Sequence, residues 1–149
     1  MEKLRRILIA DSDIEFAKAF RKFIRQQPDF TIAEIVRDGQ GAVNVSKIVL
    51  PDLVLIDLHL PVLDSIKAIQ AILANNERIK ILAISTVAAD RYAIEAIKAG
   101  ATGYIEKDGP ESFATIVQAL HQVSKGESPL NPALAISILQ EFDRLTEYE

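Results

Sequence analysis

The chain contains no cysteine, and this excludes disulfides, thiolate catalysis and cysteine-ligated zinc. It contains only two histidines, His59 and His121, which are not at ligand spacing from one another. No apolar run approaches the roughly 18 residues that suggest a membrane-spanning helix. At the amino terminus, Met1 to Arg6 faintly mimics a secretory signal, but only four apolar residues follow before Asp11. No glycine-rich loop follows the first apolar run, which argues against a nucleotide-binding fingerprint. There is no internal repeat or low-complexity tract. With a net charge of −4, bulk attraction to nucleic acid or anionic lipid is not expected.

What remains is an ordinary globular composition, 49% apolar and 26% charged over 149 residues. That length suits one domain that buries about 70% of its unfolded surface. The lack of cysteine and of targeting signals leads us to expect a cytoplasmic protein with no membrane partner.

Short apolar runs alternate with segments of helical period, the pattern of βαβ construction. Runs ending at Ala10, Val36, Asp57, Ile84 and Ile105 read as five strands. Helices are expected after Asp11, from Gly39, from Asp64 or Ser65, from Asp90 to Ala99, and from Pro110 as a first helical residue. In the second helix the apolar positions are Ala42, Val45, Ile48 and Val49. Gly100 is placed to terminate the fourth helix. Right-handed crossovers then make the leading topology a doubly wound, flavodoxin-like parallel sheet of order 2-1-3-4-5. Beyond Gly126, the residues Leu134, Ile136, Ile138, Leu139 and Phe142 suggest an extra amphipathic helix.

Four runs end on polar residues: Asp11, Asp57 and Ser85 directly, and Lys107 one residue after Ile105 with Glu106 between. In this topology their strands are neighbours, so the four groups emerge along the carboxyl-terminal sheet edge where ligands bind. Alternation favours Ser85 over Thr86. Asp11, Ser12 and Asp13 are also candidate caps for the first helix, and capping is the favoured role for Ser12 and Asp13. Tyr104 reads most simply as a packed aromatic whose hydroxyl finds water. His121 reads as an exposed residue of an amphipathic helix.

Over roughly residues 1–125, the chain resembles the receiver domain of two-component response regulators. The resemblance rests on Pro51 to Pro61 around Asp57, on Ile84-Ser85, and on Gly100 to Asp108 around Lys107. It implies a signalling module rather than an enzyme, in which Asp57 accepts a phosphoryl group from a sensor histidine kinase. Lys107 and Ser85 would contact the phosphoryl oxygens, and Tyr104 would act as a rotamer switch coupled to Ser85. A magnesium ion would be held by Asp11, Asp57 and the backbone carbonyl of His59, with Ser12 or Asp13 as a further ligand. The family normally has two adjacent acids after its first strand, and here the second is Ser12, so metal affinity is expected to be weak. Ser65 stands where glycine is usual.

Residues 126–149 resemble the linker of NarL/LuxR-type transcriptional regulators, and Leu145 to Glu149 resemble the opening of their helix-turn-helix domain. On this resemblance the protein is a homodimer that meets DNA only through a domain absent from this chain. Two other readings remain. One is a phosphorylation-independent interaction module of the same fold. The other is a small haloacid-dehalogenase-like phosphatase, in which His59 would occupy the place of a second aspartate.

Overall fold

The computed structural model describes residues 4–87 and 91–146. Five parallel strands form one sheet in the order β2-β1-β3-β4-β5. They are β1 (Arg5–Ala10), β2 (Phe30–Val36), β3 (Leu53–Asp57), β4 (Lys80–Ser85) and β5 (Gly103–Glu106). The helices are α1 (Ile14–Ile24), α2 (Gly39–Val49), α3 (Ser65–Asn75), α4 (Arg91–Ala99), α5 (Phe113–Ser124) and α6 (Pro132–Thr146). The expected topology is therefore the observed one.

The two-residue period of the strands divides the core. Ile7, Ile9, Leu53, Leu55, Leu82 and Ile84 face α1 and α5. Leu8, Ala10, Val54, Ile56, Ile81, Ala83 and Tyr104 face α2, α3 and α4. Burial on both faces accounts for the near-continuous apolar composition of β1, β3 and β4. On the α1 side, the rings of Phe16 and Phe20 meet Phe113 edge-on at 5.5 and 5.4 Å.

Helix ends follow local chemistry. Asp13 caps α1, Asp38 caps α2 and Asp64 caps α3, each accepting a backbone N–H of the first turn. Gly100, at φ 118°, ends α4 as expected. The expected start of α4 at Asp90 lies outside the described residues.

Several expectations are corrected. Pro110 is not the first residue of α5, which begins at Phe113. Gly109, at φ 48°, closes a turn in which the Ser112 hydroxyl donates back to the Gly109 carbonyl. Ile48 is exposed, because the inward stripe of α2 is Ala42, Val43 and Ser46. His121 is half-buried rather than exposed, with its ring 4.6 Å from Phe30.

On α6, only Leu134 and Ile138 of the five apolar residues turn inward, while Ile136, Leu139 and Phe142 are exposed. The helix lies against α4, where Glu141 bridges to Lys98 at 3.2 Å. The segment before α6 follows β5, and the Tyr104 N–H donates to the Pro129 carbonyl at 2.9 Å. That bond satisfies part of an exposed sheet edge. Residues 147–149, which complete the resemblance to a DNA-binding domain, lie outside the described residues.

Candidate functional site

The carboxyl-terminal edge of the sheet gathers three charged side chains into one buried cluster. By strand parity, Asp11 continues the Ile7-Ile9 face of β1 and Asp57 the Leu53-Leu55 face of β3, so both project toward α1 and α5. Lys107, two residues beyond Ile105, reaches the same side. Its Nζ lies 2.9 and 3.1 Å from the two oxygens of Asp11 and 2.8 Å from Asp57 Oδ2. All three residues are buried. The ammonium also sits 4.8 Å over the Phe16 ring, a cation–π contact.

Backbone N–H groups also bond one oxygen of each carboxylate. Asp57 Oδ1 accepts the His59 N–H at 2.7 Å, and Asp11 Oδ1 accepts the Asp13 N–H at 2.9 Å. Burial raises the Asp11 pKa above its ordinary value, and the nearby Asp57 charge adds to this. The bonds from Lys107 and Asp13 offset only part of that rise. For Lys107, burial is the largest single influence and acts downward. The hydrogen bonds and charges of Asp57 and Asp11 together outweigh it, and the pKa ends above its ordinary value.

Ser85 and Tyr104 form a second, adjoining group. Both are fully buried. Ser85 Oγ accepts the Val87 N–H at 3.1 Å, and the Tyr104 hydroxyl donates to the Val87 carbonyl rather than to water. Thr86 is exposed and lines a cavity of about 420 Å³ with Asp13, Phe16, Lys107 and Phe113. Ser12 is exposed, and Asp13 is occupied in capping α1 through Phe16 N–H. The His59 ring packs edge-on to Tyr92, 5.7 Å between centroids.

Two contributions were missed in the sequence. One is Phe16, a buried residue of α1 whose ring lies under the Lys107 ammonium. Ser65 read as an alternative cap, yet Asp64 takes that role and the Ser65 hydroxyl bonds the loop after β3. The adjacency of two capping residues was the available signal, since one helix start uses one of them.

A larger hollow of about 490 Å³ lies at the opposite sheet edge, lined by Arg5, Arg78 and Lys80. Leu50, Asn76 and Ser124, at the carboxyl ends of α2, α3 and α5, also line it. Cations there complement the helix dipoles.

Among the described residues, no group of three His, Asp or Glu is arranged to hold a metal. The donor set is instead two carboxylates, Asp11 and Asp57, beside the His59 backbone. Magnesium accepts one or two carboxylates when water fills the rest of its shell. The residues fit such an ion.

The fold and the buried Asp-Lys-Asp cluster define a class, and comparison with known proteins names it. Residues 7–121 match the response regulator receiver domain, and the chain belongs to that family. It is 30% identical over 140 residues to the transcriptional regulatory protein YxjL of Bacillus subtilis, spanning 93% of this chain and 63% of YxjL. It is 35% identical over 121 residues to the chemotaxis protein CheY of Thermotoga maritima, spanning 81% of this chain and 98% of CheY. A LuxR-family two-component response regulator from Aurantimonas sp. SI85-9A1 superposes with a TM-score of 0.82 at 27% identity. The alignment covers 93% of this chain and 98% of that one. The chain spans about three fifths of the length of the transcriptional regulators it matches. Among the described residues, no helix is long and apolar enough to cross a membrane.

Proposed function

We propose that Asp57 is the phosphoacceptor of a two-component response regulator acting in transcription. One carboxylate oxygen of Asp57 attacks phosphorus in line as the bond from phosphorus to a kinase histidine nitrogen breaks. The imidazole leaves with that electron pair, and an acyl phosphate forms on Asp57. Lys107 carries the reading, because its ammonium already bonds Asp57 and offers a fixed positive charge to an incoming phosphoryl oxygen. Ser85 is the candidate hydroxyl donor to a second oxygen, and Thr86 is the other candidate at that strand tip.

Asp11, Asp57 and the His59 carbonyl would hold magnesium, which supplies charge neutralisation on the phosphoryl oxygens when bound. Tyr104 and Ser85 both bond the backbone of Val87, so a shift at Ser85 would reach Tyr104. That coupling would change homodimerisation in the cytoplasm, with residues 1–125 as the receiver. Residues 126–149 would be the linker to a helix-turn-helix domain outside this chain, through which DNA would be met.

Ser12 favours a second reading, an interaction module that works without phosphorylation. Uptake of phosphate from acetyl phosphate with magnesium, seen as a mobility shift in a phosphate-affinity gel, separates the two. Uptake that disappears in Asp57→Asn is the expected result. A wild-type chain that stays unmodified at millimolar donor supports the second reading.

A further inference from the structure

Ser65 is 1% exposed, although it opens a helix at the surface of the fold. Its hydroxyl makes no cap. It donates to the Asp57 carbonyl at 2.7 Å and accepts the Leu60 N–H at 3.4 Å. We infer that Ser65 is a positioning residue for the phosphoacceptor, a reading that rests on Asp57 acting as proposed above.

The loop it holds has little freedom and some strain. Leu58 N–H bonds the Ile84 carbonyl, and His59 N–H bonds the Asp57 carboxylate. Leu63 N–H closes back on the Pro61 carbonyl at 2.9 Å, with Val62 between them at φ 72°. That conformation is strained for a β-branched residue. From the other side, Gly39 N–H bonds the same Pro61 carbonyl at 3.2 Å. A Cβ at Gly39 would lie 1.9 Å from the Leu63 carbonyl oxygen, so this anchor requires glycine. A strained turn beside a reactive group persists when its surroundings over-determine it.

Ser65 acts on two peptide planes. Its bond to the Asp57 carbonyl fixes the plane that carries Asp57 into the loop, and with it the direction of the carboxylate. Its bond to Leu60 N–H fixes the plane shared with the His59 carbonyl. Because N–H and C=O are trans in a planar peptide, that carbonyl is directed away from Ser65. One buried hydroxyl thereby orients both the nucleophile and the backbone oxygen proposed as a metal ligand. In-line attack is sensitive to misplacement of about 1 Å, so loosening these planes lowers rate more than donor affinity.

The test compares the full wild-type chain with Ser65→Ala and Ser65→Thr. Phosphorylation by acetyl phosphate gives a maximal rate and a half-saturating donor concentration. Binding of Mn²⁺, read by electron paramagnetic resonance, gives metal affinity without turnover. In Ser65→Ala, the maximal rate falls about tenfold, half-saturation is unchanged, and Mn²⁺ binds several-fold more weakly. Ser65→Thr, which keeps the hydroxyl, recovers most of both. A folded Ser65→Ala chain with wild-type rate and Mn²⁺ affinity overturns the inference. If Ser65→Ala does not fold, Ser65→Cys, a weak donor of similar size, is compared in the same way. If the wild-type chain takes up no phosphoryl group, the function proposed above fails. The Mn²⁺ affinities then decide alone, with equal values overturning the role of Ser65.

Discussion

Lys107 holds Asp11 through both carboxylate oxygens, at 2.9 and 3.1 Å, across 96 residues of sequence. The ammonium keeps a further bond for Asp57, so one cation serves two buried acids. The arrangement is one charge short of neutral among these three groups. It is a place where a second cation, or the removal of one acid, is favourable.

Removing Asp11 is therefore expected to stabilise the fold. Its pKa is raised, chiefly by burial, so the native chain retains a proton that the unfolded chain releases near pH 3.8. Stability consequently falls as pH rises from that value through the raised native one. Asp11→Asn should flatten this slope and gain about 1 kcal/mol at pH 7, because it removes a charge that burial disfavours. Urea unfolding at pH 4, 5.5 and 7 checks it. An unchanged slope would contradict the assignment.

Removing Lys107 has the opposite sign. Lys107→Met leaves Asp11 and Asp57 buried with no cation between them, a loss of about 3–5 kcal/mol at pH 7. Protonation of Asp11, whose pKa is already raised, should restore part of it at acidic pH. In the wild-type chain, Lys107's stabilising contribution is complete below its ordinary pKa of 10.5. It is lost only as pH rises through the raised native value. An alkaline melt that shows no separate loss in that range would count against the pair.

Ser12 is the residue through which metal affinity should be adjustable. It is exposed beside Asp11, and Asp13 cannot replace it while capping α1. Ser12→Asp adds the second acid usual in the family, and should tighten Mg²⁺ binding by about tenfold or more. Calorimetric titration measures this directly. Asp13→Ala should instead cost about 1 kcal/mol of stability, as loss of a cap does, with little change in metal binding.

How much of this was legible depends on what each feature requires. The strands were readable because burial on both faces makes Leu8, Leu55 and Leu82 equally apolar, whichever side they meet. The convergence of Asp11, Asp57 and Lys107 followed from strand order. The sharing of one ammonium by two acids did not, because it depends on side-chain reach. The start of α5 was misplaced because the preference of proline for a first turn is local. The turn closed by Gly109 and Ser112 delays the helix by three residues. The bonding of Ser65 to the loop was not legible because Asp64 and Ser65 are equivalent as caps until tertiary structure assigns one of them.

The docking of α6 gives the last prediction. Two kinds of contact hold it to α4: the burial of Leu134 with Ile138, and the Lys98–Glu141 pair at 3.2 Å. The ion pair joins partly exposed groups, and Glu141 is also bonded by Arg144 at 2.7 Å. Such solvent-screened pairs contribute little to stability. Leu134 is nearly fully buried, and truncating such a side chain costs about 2–5 kcal/mol. Leu134→Ala should therefore release α6, with faster amide exchange across 132–144 and at Tyr104, whose N–H bonds Pro129. Glu141→Lys should leave exchange there within a few-fold of wild type. If the charge reversal frees the helix and the leucine truncation does not, electrostatics rather than burial holds the tail to the receiver.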